Sequence, residues 1–387
     1  MTMYKYPLAT SSWDDAEYKA IQRVVDSGMF SMGPEVQAFE KDFANYIGSK
    51  YAVMSNSGSS ANLLMVAALF YTKNDPLKAG DEVIVPAVSW STTYYPLYQY
   101  GLKLKFVDID LETLNYDLDQ LENAITDKTR LVMVVNLLGN PNDFDRISLL
   151  TQGRDIRVIE DNCESMGAEF NGKKAGAFGV MGSFSTFFSH HISTMEGGIT
   201  VTNDEELYHI MLSLRAHGWT RNLPKINHVC GEKSDDPFKE SFRFVLPGYN
   251  LRPLEISGAI GQEQVKKLPK LIEERRKNGK LLQEAMKDHP DLLIQKEIGA
   301  SSWFGFSLLI RPGSKLTRQQ LIAKLNQAGI ECRPIVAGNF AKNEVVKYFN
   351  SVVSSELQNA EHIDVNGLFI GNHHYPISNA FDSLVNI

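Results

Sequence analysis

Ser183-Phe184-Ser185-Thr186-Phe187-Phe188-Ser189-His190-His191-Ile192-Ser193-Thr194-Met195-Glu196-Gly197-Gly198 is the stretch on which the reading of this chain turns. Its start, with Gly182, predicts a short strand, and Ile199-Thr200-Val201-Thr202 just beyond predicts another. Between the two the chain turns polar, with adjacent histidines and a Gly-Gly pair. Working outward, the same kind of short apolar run recurs at Tyr51–Met54, Glu82–Pro86, Leu104–Asp108, Leu131–Val135 and Ile156–Glu160. Most of these runs are β-branched and do not alternate cleanly, which is the pattern of strands buried on both faces. Helical patterns lie between them at Ser60–Leu69, Leu118–Ile125 and Glu205–His217. Repeated strand–helix alternation predicts an α/β domain around a mostly parallel sheet.

A second unit is expected after Pro269. Leu271–His289 has a helical pattern rich in Glu, Lys and Arg, Ser302–Ile310 reads as a strand, Thr317–Ala328 as a helix ended by Gly329, and Ile330–Pro334 as a strand. The expected division is an arm over residues 1–15, a large domain over 16–268 and a smaller α+β domain over 269–387. Arg221–Pro247 mixes charge, Pro and Gly without periodicity, as long functional loops do.

The bulk composition narrows the class. Hydrophobic residues make up 43% and charged residues 22%, as in an ordinary globular chain. A formal net charge of −7 argues against a nucleic-acid binder, which needs clustered cations. Cys163, Cys230 and Cys332 are scattered and odd in number, so no disulfide framework is expected and a reducing compartment fits. The N-terminus carries no apolar signal core, and no stretch reaches the ~20 apolar residues of a membrane span. A cytoplasmic enzyme without membrane or nucleic-acid partners is the expectation.

Four segments carry candidate chemistry. Ser55-Asn56-Ser57-Gly58-Ser59-Ser60-Ala61-Asn62 follows a strand and opens a helix, where a glycine lets backbone amides approach an anion. Read alone it is also an ordinary Ser/Asn helix cap. Glu160-Asp161-Asn162-Cys163-Glu164 stands at the C-terminal end of a buried strand, the edge where parallel α/β sheets bind ligands. Pro86-Ala87-Val88-Ser89-Trp90 follows another strand, and Trp90 is a candidate to stack on a flat ligand or to pack in the core. The fourth is the His190 segment. No set of ligands at metal-binding spacing accompanies the histidine pair, so no metal site is expected.

In this order and spacing, with Pro247-Gly248-Tyr249-Asn250-Leu251-Arg252 beyond, the segments resemble the pyridoxal-phosphate sugar aminotransferases of fold type I. The resemblance runs from about Trp13 to about Pro376. It implies an α/β fold of the aspartate-aminotransferase kind and a homodimer with shared active sites. Gly58, Ser59 and Ser185 would hold the coenzyme phosphate, with Asn250 reaching in from the neighbouring subunit. Trp90 would stack on the ring, Asp161 would pair with the pyridine nitrogen, and Glu164 would sit near the ring's other polar edge.

Family members hold pyridoxal phosphate on a lysine amine, and His190 stands where that lysine is expected. An imidazole cannot form that bond, but it moves protons near neutral pH. The exchange resembles the nucleotide-sugar 3-dehydratase branch. Within that branch, the resemblance implies that pyridoxamine phosphate is the working coenzyme, that His190 is the base, and that a GDP-linked 4-keto-6-deoxyhexose loses its C3 hydroxyl. L-Glutamate would be the amino donor, and the product would feed colitose and O-antigen synthesis. The branch acting on a CDP sugar recruits an iron–sulfur cluster, for which three scattered cysteines do not suffice. Two other readings stay open on the sequence: an aminotransferase using Lys173 or Lys174, and a sugar-nucleotide-binding regulator that kept the fold without catalysis.

Overall fold

The computed structural model of the chain describes residues 4–377 and Leu384. Residues 1–3 of the expected arm, and 378–383 and 385–387 of the expected C-terminal domain, lie outside the described residues.

All seven strands expected in the first part of the chain pair in one sheet, and an eighth joins them. The order is Tyr51–Ser55, Gly198–Thr202, Met181–Ser185, Arg157–Asp161, Thr129–Val135, Glu82–Pro86, Lys103–Val107 and Ser351–Val353. Gly198–Thr202 runs antiparallel to both its neighbours, and every other pairing is parallel. Strands such as Thr129–Val135 and Glu82–Pro86 are buried along almost their whole length, which explains the β-branched, non-alternating runs. Helix Gly58–Ala68 packs on one face of the sheet with Leu64, Met65 and Val66 fully buried. The edge strand Ser351–Val353 comes from the C-terminal part of the chain, so that part returns to the large sheet.

A second, wholly antiparallel sheet has the order Leu292–Leu293, Gly305–Ile310, Gly367–Gly371 and Cys332–Arg333. Its core is Trp303, Phe306, Leu308, Leu321, Leu325 and Ile370. The strand expected over Ile330–Pro334 shrinks to Cys332–Arg333, because only those residues find partners on Gly367–Gly371.

The helix expected to begin at Leu271 begins at Glu255 and ends at Met286, running through Pro269. Pro and Gly in this span read as breakers, yet here they serve packing. A Cβ on Gly258 would lie 2.6 Å from the Val36 backbone, and one on Gly261 2.7 Å from the Phe39 ring. These glycines let helix Pro34–Ile47 lie close alongside, and the burial offsets the bond lost at Pro269. The long helix thus crosses the expected domain boundary and ties the two sheets together. Among the described residues no helix is long and apolar enough to cross a membrane.

Candidate active site

The C-terminal ends of the parallel strands open into a cavity of about 510 Å³, closed on its far side by the second sheet. Gly58, Ser59, Trp90, Asp161, Glu164, Ser185 and His190 all line it. Segments more than 130 residues apart in sequence therefore meet at one edge, as ligand sites in open α/β sheets do.

At the first turn, the Ser57 side chain accepts from the Ser60 N–H at 3.1 Å and caps helix Gly58–Ala68. The helix N-terminus, with its partial positive charge, faces the cavity beside Ser185. A Cβ at position 58 would lie 2.6 Å from Ser185 Cβ and 3.1 Å from Cys163 Sγ. Glycine is required there by close approach, and the resulting cradle of small residues fits an anionic group.

Asp161 is only 6% exposed, yet both its oxygens are occupied. Oδ2 accepts from Asn62 Nδ2 and from Thr93 Oγ1, each at 2.8 Å, and Oδ1 accepts from the Cys163 N–H at 3.1 Å. Behind these, Ser183 Oγ donates to Asn62 Oδ1 at 2.5 Å, and Ser89 and Thr93 share a bond of 2.7 Å. The carboxylate is held in one orientation by donors from three elements, a geometry that fits a cationic ring nitrogen. Trp90 is 57% exposed and turned to the cavity, so it is not a core residue. Its indole is available to a flat ligand. Glu164 accepts from the Leu138 N–H at 3.2 Å, and burial pushes its carboxyl up to about 7.

His190 and His191 separate cleanly. His190 lines the cavity, with Phe304 at 5.2 Å and Phe187 at 5.9 Å between ring centroids. Its Nδ1 is buried without a hydrogen-bond partner, and burial pulls the imidazole down to about 4, so it is neutral at pH 7. His191 is 1% exposed and turns its Nε2 to the Ser302 carbonyl at 3.2 Å. The loop carrying both is fastened from outside. Trp13 Nε1 donates to the Ser193 carbonyl at 2.9 Å, and Gln264 Oε1 accepts from the Ser193 N–H at 3.0 Å.

Other expectations resolve as follows. Asn250 does not line its own chain's cavity; it accepts from Arg252 Nε at 3.0 Å on the outer surface. Lys173 and Lys174 form a small hairpin with Glu169–Phe170 and lie over Phe178 and Tyr46. Neither reaches the cavity, and among the described residues no lysine lines it. No cluster of three or more His, Cys, Asp or Glu is gathered for a metal among the described residues. Sequence reasoning missed Asn62 and Thr93 as the holders of Asp161. It also missed Phe304 and Arg333, which close the cavity from the second sheet and its approach. Asn62 stood inside a quoted segment and Thr93 three residues beyond one; the other two carried no local signal.

Residues 11–379 match the DegT/DnrJ/EryC1/StrS aminotransferase family. The chain belongs to that family. Within it, the chain is 62% identical over 386 residues to the GDP-4-keto-6-deoxy-D-mannose 3-dehydratase of Yersinia pseudotuberculosis, covering 100% of this chain and 98% of that one. Two solved structures superimpose with TM-scores of 0.98, each covering 99% of both chains. One is a histidine-to-asparagine variant of GDP-4-keto-6-deoxymannose-3-dehydratase with bound GDP-perosamine, at 62% identity. The other is that dehydratase with a trapped PLP-glutamate geminal diamine, at 63% identity. The fold itself is shared more widely: a Helicobacter pylori aminotransferase superimposes at 22% identity with a TM-score of 0.85.

Proposed function

We propose that this chain is a pyridoxal-phosphate-dependent lyase that removes the C3 hydroxyl of GDP-4-keto-6-deoxy-D-mannose. The product is GDP-4-keto-3,6-dideoxy-D-mannose, and L-glutamate returns the coenzyme to its pyridoxamine form. The observation that carries the reading is the imidazole of His190 on the cavity wall of an aminotransferase fold in which, among the described residues, no lysine lines the cavity. The high-identity relatives support it: they are named for this dehydration, and their structures hold a GDP sugar and a PLP–glutamate adduct.

The cavity residues fit the coenzyme. Gly58, Ser59 and Ser185 would hold its phosphate, Trp90 would offer a face to its ring, Asp161 would pair with the pyridine nitrogen, and Glu164 would lie toward the other polar edge. When bound, the coenzyme supplies an amine to engage the C4 ketone and a cationic ring that draws electrons. The chain's own part is positional and protonic. Asp161, fixed by Asn62 and Thr93, holds the ring's charge in place without reorganising. His190 enters the reaction unprotonated, accepts the proton that the bound coenzyme would give up from carbon, and delivers it to the departing C3 hydroxyl, which leaves as water. Phe187 and Phe304 flank the imidazole and keep bulk water from it.

Asn250 would serve the same reading from across a homodimer, and its being exposed and outside its own cavity leaves it free for that role. Exposed Phe238, Phe242 and Phe244 in the Arg221–Pro247 loop supply apolar area for that contact. A cytoplasmic location accords with a soluble nucleotide-sugar substrate.

Mass spectrometry of the sugar after incubation with GDP-4-keto-6-deoxy-D-mannose, pyridoxal phosphate and L-glutamate tests the proposal. Loss of one oxygen with no nitrogen retained is the expected result. An aminated sugar that keeps its 3-hydroxyl overturns it in favour of an aminotransferase.

A further inference from the structure

Directly behind the His190 wall lies a buried arginine for which the reaction as described has no use. Arg275, on the long helix, is 6% exposed. Its Nη1 donates to three main-chain carbonyls, those of Phe304 and Asn372 at 3.0 Å each and of Trp303 at 3.4 Å, and its Nε is buried without a partner. None of these partners is a carboxylate. Asn372 completes the cluster by donating to the Arg275 carbonyl at 3.1 Å and to the Trp303 carbonyl at 2.8 Å. A guanidinium that loses its water without gaining a counter-charge is costly to keep.

What surrounds this cation is four imidazoles able to gain a proton, His190, His191, His373 and His374, together with the hydroxyl of Tyr6. Burial pulls all four imidazoles below their ordinary range, His190 and His373 to about 4, and Arg275 adds to it; at His190 a hydrogen bond to the Phe187 main chain works the other way and outweighs the share of Arg275. Arg275 itself, lowered by burial to about 10, stays charged at neutral pH. Across the cavity the ionisable groups facing His190 are Asp161, Cys163 and Glu164 at the strand end, Glu196 of its own loop, and Arg333. Three of these are carboxyl groups, but the charge that bears on His190 is that of the buried cation behind it, which disfavours its protonation.

We propose that Arg275 is a positioning residue for the dehydration: it fixes the Trp303–Phe304 backbone that sets Phe304 against His190, and its charge keeps His190 ready to accept a proton. The same charge makes the protonated imidazole a stronger acid, and so a better donor to the leaving hydroxyl. The inference rests on His190 being the base, as proposed above, but its test does not depend on turnover.

The test follows the His190 ring by NMR as a function of pH in coenzyme-free protein, with the signal assigned by its loss in His190→Asn. The wild-type midpoint should lie well below 6.5; a midpoint at or above that value overturns the proposal even if no Arg275 variant folds. In Arg275→Gln the midpoint should rise by roughly one pH unit, and the acid limb of the dehydration rate should move with it. Arg275→Lys, which keeps the charge but not the fork, should restore both. Equal lowering of turnover in the two variants with unmoved midpoints would mean that Arg275 only braces the backbone, and would overturn the electrostatic role. If the sugar product in the mass-spectrometric assay is aminated, the proposed function fails while the titration still reports on Arg275.

Discussion

The two walls of the cavity are built on opposite principles. On the Asp161 wall every oxygen is spoken for: Asn62, Thr93 and the Cys163 amide hold the carboxylate, and Ser183 and Ser89 hold the holders. On the His190 wall the reacting group is left uncommitted, with Nδ1 buried and unpartnered while the restraint falls on the loop around it. The difference follows from what each group must do. A residue that holds constant charge beside the ring gains from preorganisation, since nothing needs to rearrange as charge develops. A residue that must change protonation state would be hindered by a direct hydrogen-bond partner that locks one state.

Substitution on each wall can break that contrast. The largest effect is expected from His190→Asn, which keeps size and polarity but cannot carry the proton. Dehydration should fall by roughly 10²–10⁴-fold, with coenzyme binding and far-ultraviolet circular dichroism unchanged. Wild-type turnover in this variant would remove His190 from the role of base. A smaller effect is expected from Asp161→Asn, because the new amide would face the donors on Asn62 and Thr93. Coenzyme affinity should drop by roughly 10–100-fold, measured by absorbance titration; undiminished affinity would show that the preorganised carboxylate does not hold the coenzyme.

The smallest effect sharpens the comparison through acid stability. His190 is held at about 4 in the folded chain against an ordinary 6.5. Between those values the unfolded chain takes up a proton that the folded chain refuses, so this histidine costs stability as pH falls from 6.5 toward 4. Glu164 has the opposite sign: raised from 4.5 to about 7, it is protonated more readily when folded, and its contribution grows as pH falls from 7 toward 4.5. Urea unfolding across this range should show a shallower acid decline for His190→Asn and a steeper one for Glu164→Gln than for the parent chain. The slope change for either should be at most about 1.4 kcal/mol per pH unit. Parallel curves for all three proteins would mean that these two groups titrate alike folded and unfolded.

Much of the large sheet was legible because strands buried on both faces leave continuous β-branched runs, as Leu131–Val135 does. The order of the strands was not, and neither was the eighth, Ser351–Val353, a short and partly exposed edge that joins Lys103–Val107 from far along the chain. Helix Glu255–Met286 was read too short because Pro269 and two glycines look like punctuation. Only the close approach of helix Pro34–Ile47 shows why they are tolerated. In the site, Gly58, Trp90 and Asp161 were legible because each lies at or just past a strand end, a position that short-range pattern reveals, while Ser185 entered only through the family resemblance. Asn62 and Thr93 were not, since they meet Asp161 across 99 and 68 residues.

By itself the sequence determined the chemical identity of the groups at hand: an imidazole at position 190 in place of an amine, a carboxyl at a strand end, and a residue without a side chain in the turn beside it. These are covalent facts, and no fold can alter what such groups are able to bond or exchange. Which of two adjacent histidines faces the cavity, and why that one is neutral, only the tertiary structure decided. Orientation is set by what packs behind a side chain, here Ser302 and Phe304. Its protonation is set by burial and by a cation 85 residues away in sequence, because desolvation and Coulomb forces act through space and take no account of distance along the chain.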